Sequence, residues 1–168
     1  MHCSYKITPL PINGADNLLR HPQLLARRKA LAVTAASAQQ AALDALAAYN
    51  NISPASSPGG IDPGASQLGA LVLAPGIYTA AGGSFQITGS DRTLDAQGNT
   101  NAIWVFQSAS SLTVGGPGAP RNIILINGAQ AKNVFWYVGS SATINAAGGG
   151  TMVGTIIASA DISLPTTL

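Results

Sequence analysis

The chain has 168 residues and a mass of 16.9 kDa, which suits one domain with a sizeable core. Only 8% of the residues are charged while 46% are hydrophobic and 19 are glycine, a composition that excludes an intrinsically disordered chain, and no apolar stretch is long enough for a transmembrane helix. The net charge of +2 comes from the first 30 residues, so the body of the chain is not expected to bind nucleic acid.

Residues 1–29 are predicted to form a basic, proline-containing leader that is poorly ordered. His2, Cys3 and His21 all fall within it. Together they would lack a fourth ligand at a sensible spacing, so we expect no metal site, and nothing in the sequence indicates a cofactor. The leader also lacks the apolar core of a secretory signal peptide, and no signal is therefore predicted.

The segment from Leu31 to Asn50 contains nine alanines and neither glycine nor proline. This composition predicts one long α-helix that ends at Asn50 and Asn51. Its narrow apolar stripe and many small side chains would let the helix lie close against a flat neighbour. A loop rich in proline and glycine follows it.

From Leu68 onward the sequence consists of short β-prone runs separated by glycine, asparagine and serine. The predicted strands lie at 70–74, 84–88, 102–106, 111–115, 122–126, 133–138, 141–145, 154–158 and 161–164. One cassette, an apolar strand followed by a serine-containing corner and a second strand, occurs three times and superposes Thr113, Thr143 and Ser163. This degenerate repeat favours a β-solenoid, although an ordinary β-sandwich would also account for the strand lengths.

Four strings carry a family resemblance: LAPGIY at 73–78, TLDAQGNTNAIWVFQ at 93–107, INGAQAKNVFWYVGSSATI at 126–144 and GTIIASADISL at 154–164. Over residues 30–164 the sequence resembles the microbial type-1 ice-binding, or antifreeze, proteins. The resemblance implies a domain over 30–168 that is a discontinuous right-handed β-solenoid of triangular section with one long helix packed along it. It also implies a protein that is extracellular or at the cell surface. The leader, the early stop and Lys132 depart from the family pattern and indicate an incomplete or divergent member.

The resemblance implies a flat face that binds ice crystals and ordered water and thereby inhibits ice growth or recrystallisation. Thr113, Thr143 and Ser163 are the leading candidates for that face, and Thr88 and Thr93 are weaker additions. Threonine suits the task because its methyl group restrains neighbouring water while its hydroxyl group anchors it, and β-branching restricts its rotamers. We expect a monomer that neither binds nucleic acid nor inserts into a membrane.

The residues also bear on two other classes of function, an enzyme and a carbohydrate-binding or adhesive protein. The aspartates of the body are scattered over different elements and no histidine accompanies them, so an enzyme is not expected and no catalytic residue is assigned. A non-catalytic carbohydrate-binding or cell-surface adhesive solenoid is the alternative, and it would display an exposed row of aromatic side chains. Trp104, Trp136 and Tyr137 lie inside apolar strands, where roles in the core or in helix packing are favoured.

Overall fold

A computed structural model of the chain describes residues 22–116 and 118–164. These residues fall into two compact units, one ending at Asp44 and the other beginning at Ala45. The first unit holds most of a helix, and the second holds the end of that helix and all the strands described below. His2, Cys3 and His21 lie outside the described residues.

Helix α1 spans Pro22–Asn51. It contains the predicted segment 31–50 but begins earlier, so residues 22–29, which the sequence predicted as leader, are helical. Proline is well suited to the first turn of a helix, and the leucine, alanine, arginine and lysine residues that follow it are strong helix formers. No helix in the described part of the chain combines the length and the apolarity that crossing a membrane requires.

Across the described residues, eleven short strands form three parallel sheets. Sheet A contains β2 (Gly76–Thr79), β5 (Trp104–Ser108), β8 (Val134–Val138) and β10 (Thr155–Ala158). Sheet B contains β3 (Phe85–Ile87), β6 (Leu112–Val114), β9 (Ala142–Ile144) and β11 (Ile162–Ser163). Sheet C contains β1 (Val72–Leu73), β4 (Arg92–Asp95) and β7 (Ile123–Ile126). A 3₁₀ turn, Ala131–Asn133, precedes β8.

From β2 to β9 successive strands visit sheets A, B and C in turn, and β10 and β11 then return to sheets A and B, so that each circuit stacks on the one before it. Every pairing between these strands is parallel. A β-sandwich is built from antiparallel strands, whereas a coil that repeats in one direction pairs each strand in parallel with its counterpart in the next coil. The β-solenoid predicted from the sequence is therefore confirmed.

The core is made of inward-facing side chains that stack from one coil to the next. In sheet A the rings of Tyr78, Phe106 and Trp136 form one column, with centroids 5.4 Å and 4.1 Å apart. Phe85 from sheet B meets Phe106 edge-on, and Trp104 is fully buried beside this column. The expectation that both tryptophans belong to the core is confirmed.

The end of the solenoid that comes first in the chain is closed by residues 52–71, which we call the cap. Ile61 pairs with Tyr78 and Gln67 pairs with Gln86, in both cases by an isolated parallel bridge. Leu68 is fully buried there, because its backbone N–H donates to the carbonyl of Gln86 and holds it over the first coil. The cap thus supplies both the hydrogen bonds and the apolar cover that the first coil lacks on that side.

The coil that contains β8 and β9 is shortened on sheet C. A glycine-rich segment, residues 146–154, stands where a fourth strand of that sheet would lie, and its Thr151 forms an isolated parallel bridge with Asn122, the residue before β7. Gly150 has a φ of +71°, and a Cβ atom there would collide with the carbonyl oxygen of Arg121. This shortened coil accounts for the uneven spacing of the sequence cassettes.

Candidate functional site

One outward-facing row crosses all four strands of sheet B. Its members are register partners on adjacent parallel strands, and we call them the sheet B row: Gln86, Thr113, Thr143 and Ser163. The structure therefore brings together the three residues that the cassettes superposed. Gln86 was missed because the cassettes were aligned on threonine and serine, although its alternation with Phe85 and Ile87 could have identified it.

Buried neighbours hold the centre of the sheet B row in place. Thr113 is flanked by Leu112 and Val114, which are 0% and 1% exposed, and Thr143 is flanked in the same way by two buried residues. Each threonine backbone is thus fixed by packing on the inner face of the sheet, and β-branching limits the rotamers of its side chain. The result is a short rigid ladder of methyl and hydroxyl groups with the spacing of a parallel sheet, about 4.8 Å per strand.

The surface next to the row carries small hydroxyl groups and little charge. Ser111 precedes β6, and its hydroxyl donates to that of Ser84, which precedes β3, at 2.9 Å. Ser141 and Asp161 occupy the corresponding positions before β9 and β11. Asp161 is therefore the charged residue nearest the row along these strands, and it lies at the end of the sheet.

The two weaker candidates lie elsewhere. Thr88 follows β3, and its hydroxyl accepts a hydrogen bond from the Gln67 side chain at 2.8 Å, which commits it to the cap. Thr93 lies on β4 of sheet C between Val72 and Ile124, two exposed aliphatic residues. Thr93 thus belongs to a different face and cannot extend the sheet B row.

A shallow groove runs beside the two threonines of the row. It has a volume of about 360 Å³, and its lining includes Thr113, Thr143, Ala146 and Ala147. The lining residues are uncharged. The sheet B row therefore lies beside a shallow groove and not beside a pocket with polar groups arranged around a ligand.

Three acidic side chains of the second unit, those of Asp62, Asp91 and Asp95, accept hydrogen bonds from backbone N–H groups. The Asp62 carboxylate accepts hydrogen bonds from the N–H groups of Gly64, Ser66 and Ala81 within the cap and at its edge. Burial alone would raise the pKa of Asp62, but these hydrogen bonds outweigh it and hold the pKa below its ordinary 3.8. The side chain thereby fixes the path of the cap as an ionised group.

Asp91 and Asp95 lie at corners. Two hydrogen bonds from Asn122 lower the pKa of Asp91 below its ordinary 3.8. The Asp95 carboxylate accepts from the backbone N–H of Gln97 at 2.8 Å, so it caps the backbone at its corner. Asp62, Asp91 and Asp95 occupy separate elements and do not form a paired acid and base.

The aromatic residues that could stack on sugars are turned inward or covered. Trp104 and Trp136 are 0% and 1% exposed. Tyr137 is half-buried, and its ring lies 4.4 Å, between centroids, from that of Tyr49 near the end of α1. A hydrogen bond with Tyr49, together with burial, raises the pKa of Tyr137 to about 12. Tyr137 thus packs against the end of the helix, as predicted, and these three residues do not form an exposed aromatic row.

Comparison with known proteins identifies similar chains. A family model described as Ice-binding-like matches residues 8–167. An ice-binding protein of Nostoc sp. (strain HG1) is 39% identical over 132 residues, which cover 77% of this chain and 44% of that protein. An ice-binding protein of Flavobacterium frigoris (strain PS1) is 31% identical over 142 residues, which cover 80% and 49%. The chain therefore spans about half the length of these relatives.

Solved structures show the same fold. The crystal structure of an ice-binding protein from an Antarctic biological consortium has a TM-score of 0.61 and 35% sequence identity, over 74% of this chain and 54% of that one. The ice-binding protein of the ascomycete Antarctomyces psychrotrophicus has a TM-score of 0.61 and 29% identity, over 76% and 68%. The parallel solenoid and its sheet B row are therefore set in a fold that these proteins share.

Proposed function

The chain belongs to the Ice-binding-like family, and from this premise we propose that it binds ice through the sheet B row and so inhibits ice growth or recrystallisation. The observation that carries the proposal is the direct register of Thr113 with Thr143 on adjacent parallel strands, each flanked by fully buried neighbours. The binding partner is the ice crystal surface together with the water that the row orders.

The chemistry of ice explains why such a row suits it. Ice offers neither a charge nor a pocket, only a lattice of oxygen atoms, so a binder needs a rigid array of weak contacts that act together. Threonine methyl groups restrain water while hydroxyl groups anchor it, and a strand spacing of about 4.8 Å repeats both at regular intervals. The restricted rotamers of threonine lower the entropic cost of holding this arrangement.

The scarcity of charged side chains on sheet B also supports ice binding. An ionised side chain orders water around itself and would disturb an ice-like arrangement. The centre of sheet B presents hydroxyl and amide groups, and the nearest charged side chain on its strands is Asp161 beside the last one. We infer that the low charge content of the body reflects the nature of its partner.

We further propose that the protein is not an enzyme and that it acts outside the cell or at its surface. The first proposal is supported by the separate structural roles of Asp62, Asp91 and Asp95. The second is supported by family membership.

A substitution on the row tests the ice-binding proposal. Thr143→Tyr places a large ring at the centre of the face, where it would hold the surface away from ice. Thr93→Tyr is the matched control, since it makes the same change at an outward position of sheet C. We expect Thr143→Tyr to abolish thermal hysteresis and recrystallisation inhibition, and Thr93→Tyr to leave both in place, with circular dichroism and urea unfolding showing that both variants are folded.

Three results would contradict the proposal. Unchanged hysteresis in folded Thr143→Tyr would remove the sheet B row from ice binding. Loss of activity in Thr93→Tyr alone would move the ice-binding face to sheet C. A folded wild-type protein with neither hysteresis nor recrystallisation inhibition would favour the carbohydrate-binding or adhesive alternative.

A further inference from the structure

One arginine side chain in the solenoid core has donors that no described group accepts. Arg92 faces inward on β4 and is fully buried. Its Nη1 donates to the carbonyl of Leu68 in the cap at 2.8 Å, whereas its Nε and Nη2 have no hydrogen-bond partner among the described residues. We propose that Nε and Nη2 of Arg92 bind one small anion, of the size of chloride, where β4 meets the cap.

The two unpartnered atoms form the edge of the guanidinium that suits an anion. The N–H bond of Nε and one N–H bond of Nη2 lie side by side and point in the same direction, so that a single acceptor can receive both. The hydrogen bond from Nη1 to the carbonyl of Leu68 holds the plane of the group in place. A buried donor without an acceptor is costly, and an ion at this edge would remove that cost for two donors at once.

The charge of Arg92 points to an anion rather than to water. Burial lowers the pKa of Arg92 to about 10, so the guanidinium is charged at neutral pH. Within the described part of the chain, Tyr78 is the ionisable group that acts on this charge. Burial raises the pKa of Tyr78 above its ordinary 10.0, and its hydroxyl donates to the carbonyl of Ala74 at 2.6 Å, so Tyr78 is neutral. Water would satisfy the donors but leave the charge uncompensated, whereas an anion does both.

The burial of Arg92 limits the ion to a small one with a single charge. An ion beside a fully buried side chain must give up most of its hydration shell, which is far more costly for a divalent anion such as sulfate than for a halide. A halide also accepts hydrogen bonds from any direction, so it fits two parallel N–H bonds. Because Nη1 of the same group holds the carbonyl of Leu68, the bound ion would help to fix the cap to β4.

This site would also affect the protein beside ice, a consequence that rests on the proposed function. Growing ice excludes dissolved salt, so the liquid next to a crystal becomes richer in anions. A ligand that binds the folded protein and not the unfolded chain stabilises the fold by mass action. The cap would therefore be held most firmly where the sheet B row is proposed to act.

Crystallography of the full chain tests the site directly, with bromide as the probe. Crystals grown in sodium bromide and measured at the bromine absorption edge should show one anomalous peak within hydrogen-bonding distance of both Nε and Nη2 of Arg92. A water molecule at that edge, a protein carboxylate there, or apolar packing with no ligand would overturn the proposal.

Urea unfolding in sodium chloride and in sodium gluconate measures binding in solution, since gluconate is too large for a buried site. At equal ionic strength the unfolding midpoint of the wild type should be higher in chloride. Well above the dissociation constant, each tenfold rise in chloride should raise the folding equilibrium constant about tenfold.

Two variants locate this chloride dependence. Arg92→Met removes the cation but keeps a long unbranched side chain, and it should lose the dependence. Arg121→Met is the matched control, because the Nε of Arg121 donates to the carbonyl of Thr88 at 2.9 Å, and this variant should keep the dependence.

The solution measurements can also contradict the site. A wild type without chloride dependence would overturn it, and a bromide peak in the crystal would then mean binding at crystal concentration only. Chloride dependence that persists in folded Arg92→Met would overturn it as well. If Arg92→Met does not fold, the bromide peak and the chloride dependence of the wild type decide. None of these experiments contains ice, so failure of this inference and failure of the ice-binding proposal are seen separately.

Discussion

The two ends of the solenoid differ in how their terminal coils are covered. At the capped end, Leu68 is fully buried over the first coil, and Gln67 and Ile61 supply a strand-like partner to β3 and β2. At the opposite end, residues 155–164, which we call the open end, Ile162 and Leu164 are exposed, and the described residues place no further strand beside β10 or β11. Coils that are alike in their middle can thus differ greatly in local stability according to what lies beyond them.

This difference has a physical basis in nearest-neighbour contacts. A solenoid coil is stabilised mainly by the coils on either side of it, so a coil with one neighbour has lost about half of its partners. The cap restores the missing contacts with an irregular segment held by side chains. Arg92 contributes here, since its guanidinium is fully buried and donates to the carbonyl of Leu68 at 2.8 Å.

The largest effect is expected from truncating the buried leucine of the cap. Leu68→Ala should lower the free energy of unfolding by about 2–5 kcal/mol, because it removes a fully buried side chain and leaves a cavity. Ile162→Ala, the matching change at the open end, should cost about 1 kcal/mol, because much of that side chain is already in contact with water. Urea unfolding of both variants at low protein concentration measures the two values.

The same pair of variants also sharpens the comparison of the ends. Equal costs at low concentration would contradict the contrast between the ends, because they would mean that Ile162 is as well covered as Leu68.

A smaller effect is expected from acid, and it should be confined to the cap. The pKa of Asp62 lies below its ordinary 3.8 in the folded protein, so its carboxylate stabilises the fold above that pH, and this contribution is lost as the pH falls through the folded value. Asp62→Asn should therefore be less stable than the wild type near neutral pH. The difference should shrink well below pH 3.8, as measured by urea unfolding at both pH values.

Asp161→Asn is the matched control for the acid experiment, since it changes a carboxylate at the open end. Asp91, whose pKa is also lowered, is present in both variants and cancels in the comparison. An Asp62→Asn difference that stays constant with pH would show that the carboxylate of Asp62 does not hold the cap as an ion.

The smallest effect concerns the two ends of the sheet B row. Gln86→Thr extends the threonine ladder at the capped end, where Phe85 and Ile87 are fully buried beside it. Ser163→Thr extends it at the open end, where Ile162 and Leu164 are exposed. Thermal hysteresis should rise more for Gln86→Thr, because a rigid backbone holds the added methyl and hydroxyl groups in place. A larger rise for Ser163→Thr would mean that rigidity does not limit the row.

The sequence predicted most of the strands because the coils alternate regularly. The nine predicted runs each overlap an observed strand, and the cassettes placed Thr113, Thr143 and Ser163 in their true register. Two strands escaped prediction. Strand β2 is a short run directly after Pro75, and β4 turns Arg92 into the core, where burial lowers its pKa to about 10.

Other differences come from contacts that no local pattern shows. An arginine is ordinarily predicted to lie at the surface. The inward position of Arg92 is explained by its hydrogen bond to the carbonyl of Leu68, which is distant in sequence. The sequence of the cap predicts only an irregular loop, because its bridges to β2 and β3 form only when those strands are in place. The helix begins earlier than predicted, because Pro22 is its first residue and does not belong to an irregular leader.

The alternation of inward and outward residues along each strand separates two kinds of evolutionary change. A substitution at Leu112 or Val114 alters stability, whereas one at Thr113 between them alters what the surface can recognise. Selection can therefore act on a surface row without first compensating for a damaged core. The same scaffold could pass from one flat partner to another through a few outward substitutions, one in each coil.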